Sequence, residues 1–474
     1  MTLISPHTQR LTHLIMVILL LFPFLFLLLT ATPHHVSTTT TNHQQDTMDP
    51  SELQTLYNIM ETLSSDHKWR LSFPNPCKPS TSWTGIQCKL GLTDSHLHVT
   101  RLDFGTPPNP TCKPTSTFPS NIFQLPYLQS IFFFNCFTKT KTTLSVPKDH
   151  TLSSSSLQQL SLRSNPSLVG SISPQLFSRL PSLQILTLSQ SRISGVIPPE
   201  ISELKSLVHL DLSYNQLTGF IPVQLGKLGS LVGLDLSYNS LTGSVPNTIG
   251  QLGMLQKLDL SSNLLTGSVP MSIEKLSSLA FIALNNNRFH GKLPVGLANL
   301  KGLEYLIMDN NPMSIELPVE LGQLQKLQEL RLANSGFSGE IPATFSHLSN
   351  LTTLSLQNNR LTGSIPVGLG NLSRIYHLNL SKNLLSGEIP FDSGFLKRLG
   401  KNLDVSGNRD LCLNPLEAYD CVKLGVDVCD RSNNTRVGKI NSRVKPLKTS
   451  EGQVVEISQP TLFFVFLGFH LYLY

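Results

Sequence analysis

The residues that could carry out chemistry in this sequence do not form a catalytic set. The chain has 14 His and 7 Cys among 474 residues. It contains no Gly-rich phosphate loop, no C-x-x-C, H-E-x-x-H or G-x-S-x-G motif, and no kinase signature. Most of its acidic residues recur at fixed positions of a repeat. We therefore predict no enzyme activity, no cofactor and no metal site, which leaves binding as the expected chemistry.

Binding residues are predicted in columns, because equivalent positions of successive repeats lie side by side. Asp211, Asp235 and Asp259 form one such column, and Tyr214 and Tyr238 form another. Aromatic side chains beside charged ones suit an extended peptide. The alternative is that L-D-L-S is a common consensus of this repeat and that these Asp side chains are merely solvated. The predicted ligand strip is Asp211, Tyr214, Asp235, Tyr238, Lys257, Asp259, Phe281, Tyr305, Ile307, Glu329 and Arg331, with Asp309 beside it.

The repeat that positions these residues follows the template L-x-x-L-x-L-x-x-N-x-L-x-G-x-I-P-x-x-L-x-x-L-x-x. Its period is 24 residues from Ser191 to Asn383. The Asn position of the template, called the register position below, falls at Asn165, Ser191, Asn215, Asn239, Asn263, Asn287, Asn311, Ser335, Asn359, Asn383 and Asn408. Each unit can bury its leucines only against its neighbours, so the units should stack as a solenoid.

Each position of the template has a physical reason. Leucines in L-x-L lie on one side of a strand, so the strands should form a parallel sheet over a leucine core. The Asn amide can donate to and accept from backbone groups that stacking buries. The Gly four residues later permits an unusual backbone conformation, and Ile315 departs from that rule. The apolar-Pro pairs favour an extended path, so helices on the far side should be short or absent.

A capping helix should cover the first repeat. Asp49-Pro50-Ser51-Glu52 has a capping acid, a Pro at the first helical position and a Glu three residues after the cap, followed by apolar residues at helical spacing. The solenoid itself should begin near Val99. A weaker unit, from Leu128 to Cys136, carries Cys at the register position.

The two termini indicate secretion and attachment. Residues 14–29 are apolar and uncharged and precede Ala31-Thr32, so 1–32 is predicted as a cleaved signal peptide, with a retained signal anchor as the alternative. Residues 33–48 read as a linker and 431–460 as a basic stalk. The tail 461–474 is apolar, and Ser450 is the candidate site for a glycolipid anchor, with a short membrane anchor or a frayed apolar end as the alternative.

The cysteines read as structural, because all seven lie outside the central repeats. Cys77 and Cys88 should close a loop around Trp83, and Cys112 should pair with Cys136. Cys412 has two candidate partners, Cys421 and Cys429. Four sequons are candidate glycosylation sites, and they begin at Asn350, Asn371, Asn379 and Asn433.

The L-T-G-x-I-P unit, with a helix and the Cys77…Trp83-Thr84-Gly85-Ile86-Gln87-Cys88 motif before it, resembles the leucine-rich-repeat ectodomains of plant receptor-like proteins and receptor kinases. The opening and closing segments are similar to the branch containing Piriformospora indica-insensitive protein 2 and Too Many Mouths. The resemblance implies an α/β repeat fold, namely a right-handed leucine-rich-repeat solenoid with a parallel sheet on its concave face and disulfide-stabilised caps at 49–98 and 412–430 around repeats 99–411. It also favours Cys412–Cys429 over Cys412–Cys421, which leaves Cys421 unpaired.

The resemblance implies a function as well. It indicates a cell-surface protein on the outer face of the plasma membrane that lacks a kinase and binds a peptide, a receptor-kinase ectodomain, or both. Two alternatives remain at this stage. One is a soluble apoplastic inhibitor of a pathogen's wall-degrading enzyme, against which the apolar tail argues. The other is an adhesion module whose basic stalk binds acidic polymer. The modest net charge of +6 gives no reason to expect nucleic acid.

Overall fold

The structure is a computed structural model, which describes residues 47–78, 80–91, 94–146, 156–416 and 424–429. The predicted signal peptide, most of the linker, the stalk and the tail lie outside these residues, as do Cys421, Asn433 and Ser450. Within the described part, 25 strands and four α-helices stack along the chain.

The main sheet has 14 strands, one or more from each repeat. Its first two strands pair antiparallel and the others pair in parallel register. The strands are β1 (Ile86–Leu90), β2 (Leu97–Phe104), β3 (Ser130–Phe134), β4 (Gln159–Arg163), β6 (Ile185–Thr187), β8 (His209–Asp211), β10 (Gly233–Asp235), β12 (Lys257–Asp259), β14 (Phe281–Ala283), β16 (Tyr305–Ile307), β17 (Glu329–Arg331), β19 (Thr353–Ser355), β21 (His377–Asn379) and β23 (Leu403–Asp404). This confirms the predicted parallel sheet.

A second set of strands, which the sequence reasoning missed, follows the register positions. Six strands form one parallel sheet, two more form a pair, and three form a sheet at the C-terminal end. They are β5 (Val169–Ser171), β7 (Arg192–Gly195), β9 (Gln216–Gly219), β11 (Ser240–Gly243), β13 (Leu264–Gly267), β15 (Arg288–Phe289); β18 (Ser338–Glu340), β20 (Arg360–Thr362); and β22 (Ser386–Glu388), β24 (Asp410–Leu413), β25 (Asp427–Val428). The break after β15 coincides with Ile315, at the position where other repeats have Gly. Gly219, for example, has φ 76°, whereas in the unit of Ile315 it is Ser314 that has a positive φ of 49°.

The far side of the solenoid carries short 3-10 helices, as the apolar-Pro pairs predict. Each follows a Pro in extended conformation and spans five residues, for example Val223–Lys227 after Pro222 and Val319–Gln323 after Pro318. The others are Ser120–Gln124, Pro199–Glu203, Asn247–Gln251, Met271–Lys275, Val295–Asn299, Ala343–His347 and Val367–Asn371, with a three-residue turn at Gly400–Asn402. α-Helices occur at α1 (Pro50–Leu63), α2 (Trp69–Ser72), α3 (Pro174–Arg179) and α4 (Ser393–Leu399).

The register residues form the predicted ladder of hydrogen bonds. The Nδ2 of Asn287 donates to the carbonyl oxygens of Leu260 (2.9 Å) and Leu284 (3.1 Å), and its Oδ1 accepts from the N–H of Leu265 at 3.0 Å. Ser335 replaces only part of this pattern, since its hydroxyl donates to the carbonyls of Met308 and Ala333. The leucines beneath the sheet are buried throughout.

The N-terminal cap differs from the prediction in one respect. Asp49 caps α1 by accepting from the N–H groups of Ser51 (2.8 Å) and Glu52 (3.1 Å), as expected. Glu52, however, contributes to the strand edge, because its buried carboxylate accepts from the N–H of Val99 at 2.9 Å. The three predicted disulfides are present: Cys77–Cys88, Cys112–Cys136 and Cys412–Cys429. Trp83, inside the first loop, packs against Trp69 at 5.4 Å between ring centroids.

A candidate binding face on the main sheet

The outward side of the main sheet, called the open face below, holds the predicted acidic column. Parallel register places Asp211, Asp235 and Asp259 side by side on β8, β10 and β12. In each case one carboxylate oxygen accepts from the backbone N–H and the hydroxyl of the Ser two residues later; for Asp259 and Ser261 these distances are 3.0 and 2.6 Å. Asn379 makes the same two bonds with Ser381. The Asp of L-D-L-S is therefore part of a local turn rather than merely solvated.

The second oxygen of Asp235 binds the one ammonium group in this column. The Nζ of Lys257 lies 2.9 Å from Asp235 Oδ2 and 5.7 Å from the ring centre of Phe281. Burial alone would lower the pKa of Lys257, but the charges of Asp235 and Asp259 outweigh burial and raise it. Burial, followed by repulsion from Asp235, raises the pKa of Asp259 to about 6 and also raises that of Asp211. The positive charge of Lys257 is thus bonded to Asp235 and partly neutralises the neighbouring carboxylates of Asp211 and Asp259.

Tyr214 and Tyr238 form a stacked pair beside the acidic column, three residues after Asp211 and Asp235. Their ring centroids are 4.1 Å apart and their planes differ by 10°. The two residues expose 42% and 38% of their surface. Burial of the phenol and the neighbouring Tyr238 raise the pKa of Tyr214, which keeps it neutral. The predicted tyrosine column is therefore available for contact.

Apolar residues occupy the centre of the open face. Phe281 packs against Tyr305 at 5.9 Å between centroids and is only 8% exposed, so it supports its neighbours more than it presents surface. Tyr305 and Ile307 are half-buried. The hydroxyl of Tyr305 donates to Gln328 Oε1 at 3.3 Å, and Gln328 in turn donates to Glu304 at 2.9 Å. Glu304 and Gln328 were not predicted, because they fall at the variable second position of L-x-x-L, where no pattern marks them.

A second charge cluster lies on β17 and beside β16. The Nε of Arg331 is 2.7 Å from Asp309 Oδ2, and its NH1 is 3.7 Å from Glu329 Oε1. The other oxygen of Asp309 accepts from the N–H of Ala333 at 2.7 Å. Burial raises the pKa of Asp309 and Glu329, and the charge of Arg331 partly opposes that rise. Asp309 thus holds Arg331 in place while 42% of the Arg331 side chain stays exposed.

The described sequons differ in accessibility. Asn350 is engaged on both sides, since its Nδ2 donates to Gln325 O at 2.7 Å and its Oδ1 accepts from Arg374 at 2.7 Å. Asn371 is exposed at the end of a 3-10 helix, and Asn379 is half-buried on the open face. Glycosylation of these positions stays a prediction.

Among the described residues, no group of His, Cys, Asp or Glu is arranged to hold a metal ion. No helix in the same residues is long and apolar enough to span a membrane.

Comparison with known proteins agrees with this architecture. The family model described as "Leucine rich repeat" matches residues 155–217, 214–265 and 325–385. These residues carry leucine-rich repeats, and the fold is a leucine-rich-repeat solenoid. Over 151 residues it is 60% identical to Receptor like protein 29 of Arabidopsis thaliana, covering 32% of each chain. It is 34% identical over 161 residues to Piriformospora indica-insensitive protein 2 of the same plant, covering 32% of this chain and 36% of that one. The predicted resemblance to plant leucine-rich-repeat receptor-like proteins is confirmed, over about a third of each relative's length.

Solved structures give the same answer for the fold. The leucine-rich-repeat chain matches the crystal structure of PEPR1–AtPEP1 with a TM-score of 0.65 and 29% identity, over 78% of this chain and 50% of that one. It matches the ectodomain of the Arabidopsis thaliana receptor kinase GASSHO1/SCHENGEN3, in complex with CASPARIAN STRIP INTEGRITY FACTOR 2, with a TM-score of 0.51 and 27% identity over 66% and 41% of the two chains. The fold is therefore that of plant receptor ectodomains.

Proposed function

We propose that this protein is a cell-surface receptor-like protein that binds a peptide, a receptor-kinase ectodomain, or both through its open face, and that signals through the partner kinase. The observation that carries the proposal is the strip across β8, β10, β12, β14, β16 and β17. It has a charged cluster at each end and an apolar centre. The matched ectodomain of GASSHO1/SCHENGEN3, in complex with its named factor, supports this use of the fold.

The charge distribution specifies how an extended ligand would lie. Three carboxylates share the ammonium of Lys257 at one end, so a basic ligand group belongs there. At the other end Arg331 is held by Asp309 through Nε, and its remaining N–H groups can donate to a carboxylate. Tyr305 and Ile307 between them offer apolar contact to a side chain. A peptide with a basic and an acidic end fits this arrangement.

The proposed location depends on the two termini. We propose that residues 1–32 direct secretion and that a glycolipid anchor at Ser450 holds the protein on the outer face of the plasma membrane. The test is to express the full chain in plant cells and treat the membranes with a phosphatidylinositol-specific phospholipase. Release of a product whose mass ends near Ser450 supports the anchor. Retention by the membrane, or spontaneous appearance in the medium, contradicts it.

Binding is tested separately with the purified secreted chain. It is measured by biolayer interferometry against a panel of plant receptor-kinase ectodomains, with and without their peptides. Arg331→Gln should weaken the selected interaction at least tenfold, because it removes the only strong contact for an acidic group on β17. The matched control is Arg360→Gln on β20, which is exposed in the second set of strands and should bind normally. Absence of any kinase or peptide partner, together with inhibition of a wall-degrading enzyme, would replace the proposal by the inhibitor alternative.

A further inference from the structure

A second surface runs beside the strip, at the residue preceding each register position. This residue has a left-handed backbone in eleven successive units, from Asn135 (φ 53°) to Lys382 (φ 55°). Between Ser164 and Lys382, eight side chains in succession are uncharged and can form hydrogen bonds. We call these residues the left-handed column: Gln190, Tyr214, Tyr238, Ser262, Asn286, Asn310, Asn334 and Asn358.

Folding accounts for only part of this column. Asn adopts the left-handed conformation more readily than other residues with a side chain, so four Asn there are expected. Bulky residues do so rarely, yet Tyr214 and Tyr238 both have this backbone and stack on one another. In the last repeat the same position is Gly407, with φ 75°, which is the residue that the backbone would favour. Two adjacent tyrosines held against backbone preference point to a function of their side chains.

The Asn side chains are ordered by hydrogen bonds to one another. Asn310 Nδ2 donates to Asn286 Oδ1 at 2.6 Å, and Asn286 Nδ2 donates to Ser262 Oγ at 3.2 Å. Asn358 Nδ2 donates to Asn334 Oδ1 at 2.5 Å. The amide nitrogens of Asn286, Asn310 and Asn358 therefore point toward the lower-numbered repeat, and each amide keeps a second N–H and a carbonyl lone pair for a ligand. Such preordered groups bind with little loss of side-chain freedom.

The spacing of the column decides the kind of ligand. Neighbouring strands lie about 4.7–4.9 Å apart, whereas an extended peptide advances only about 3.2–3.4 Å per residue, so peptide groups would fall out of step. One sugar unit of an extended β-linked chain is about as long as the strand spacing. Sugar hydroxyls also both donate and accept, as amides and phenols do. The eight residues carry no charge, and a cation follows only at the end of the run, at Lys382, so the column disfavours an acidic polymer along its length.

We propose that the left-handed column binds a linear, neutral, β-linked glycan that runs along the solenoid, one sugar unit per repeat. The glycan lies beside the open-face strip and contacts the phenol edges of Tyr214 and Tyr238 and the amides from Asn286 to Asn358. The glycan site uses neither Arg331 nor the acidic column, and it shares only Tyr214 and Tyr238 with the predicted ligand strip, so loss of glycan binding is distinguishable from loss of the peptide or kinase interaction through Arg331.

The test uses the full secreted chain and isothermal titration with cellohexaose, laminarihexaose, mannohexaose and xylohexaose, and with hexagalacturonate as the charged comparison. Binding of at least one neutral hexaose is expected. The double variant Tyr214→Gly/Tyr238→Gly, which copies Gly407, should fold normally and bind at least tenfold more weakly. Asn286→Asp/Asn310→Asp, which keeps side-chain size and adds charge, should have the same effect.

The matched control is Tyr376→Gly, because Tyr376 is 69% exposed but lies outside the column. It should bind like the unmodified chain. The proposal is overturned if no neutral hexaose binds, if hexagalacturonate binds more tightly than all of them, or if both column variants keep full affinity. Equal loss of affinity in the control would also overturn it, because the contact would then lie elsewhere.

Discussion

The N-terminal cap and the central repeats satisfy buried backbone groups by different chemistry. In the repeats a neutral amide does so, as Asn287 does for Leu260, Leu284 and Leu265. In the cap the corresponding acceptor is the carboxylate of Glu52, which binds the N–H of Val99 and lies 2.6 Å from His98 Nδ1. The first repeats beside the cap are further closed by Cys112–Cys136, whereas the central repeats contain no cysteine.

This difference predicts which part of the solenoid is sensitive to pH and to redox conditions. An amide neither titrates nor is reduced, so a ladder of amides is indifferent to pH and redox conditions. Carboxylates and an imidazole respond to pH, and a disulfide responds to redox conditions. We therefore expect the cap to loosen under conditions that leave the repeats intact.

The largest expected loss of stability comes from removing one Asn side chain from the hydrogen-bond ladder. Asn287→Ala leaves the buried N–H of Leu265 without its partner, which costs about 1–3 kcal/mol. It also removes one hydrogen bond, at about 1 kcal/mol each, from the carbonyls of Leu260 and Leu284, which keep their bonds from Asn263 and Asn311. We expect the free energy of unfolding to fall by about 4 kcal/mol in urea titrations at pH 6. Asn287→Ser is the matched control, because Ser335 occupies the equivalent position naturally, and it should lose about half as much. Equal losses for the two variants would show that the amide is not what the ladder requires.

The next largest loss of stability should come from removing the Cys112–Cys136 disulfide, which lies beside the cap. Replacing Cys112 and Cys136 by Ser opens a loop of 24 residues and should cost about 3 kcal/mol. Hydrogen exchange should rise in β2 and β3 while the repeats from β8 onward keep their protection. Uniform loss of protection along the whole chain would contradict the separation of cap and repeats.

A smaller effect concerns His98 and pH. Burial lowers the pKa of His98, but its contacts with Glu52 and Asp94 outweigh burial, so the pKa is raised above 6.5. The folded state thus binds the proton more tightly than the unfolded chain. The stabilisation is complete below pH 6.5 and is lost as the pH rises through the raised value.

His98→Gln should therefore lower stability at pH 5.5 by about 2 kcal/mol and remove most of the loss of stability that the unmodified chain shows as the pH rises above 6.5. Unfolding in urea at several pH values, with exchange of α1 as a local readout, measures this. The control is His347→Gln, because His347 lies on the far side at the end of a 3-10 helix. If the variant kept the original pH dependence, another group would have to be its cause.

The smallest expected effect is a gain in stability. It concerns Asp259, a titrating group inside the repeats. The pKa of Asp259 is raised to about 6, so its ionised form costs stability, and that cost appears as the pH rises from about 4 to 6. Asp259→Asn can keep both bonds to Ser261, as Asn379 does with Ser381. We expect a gain of about 1 kcal/mol at pH 7 and a flatter profile below pH 6. A lower melting temperature would show that the charge itself is needed.

Much of the fold could be predicted from the sequence, because the leucine period, the register residues and the cysteines each have one plausible structural use. The second set of strands could not. Strands such as β9 and β11 pair through the backbone, and their side chains show no alternation of apolar and polar residues that would reveal them. The role of Glu52 was missed for a similar reason, since its partner Val99 is distant in sequence.

The candidate site was predicted less completely than the fold. The columns of Asp and Tyr were correctly placed side by side, because register follows from the period. The cap that each Asp provides for a following Ser, the clamp of Asp309 on Arg331 and the left-handed column depend on side-chain and backbone angles. A period specifies which residues are neighbours, but it does not specify those angles.

The break in the second sheet has a consequence for cooperativity. In a solenoid each repeat is held by its own stability and by coupling to its two neighbours. Between β15 and β18 that coupling lacks the second sheet, apart from one isolated bridge between Glu316 and Ser338. Across the other break, between β20 and β22, the N–H groups of Leu384 and Ser386 still donate to the carbonyls of Leu361 and Gly363, so the boundary at Ile315 has the weaker coupling of the two. Force applied to the two ends should unravel this receptor-like solenoid in two steps, with the units on each side of Ile315 yielding as separate blocks.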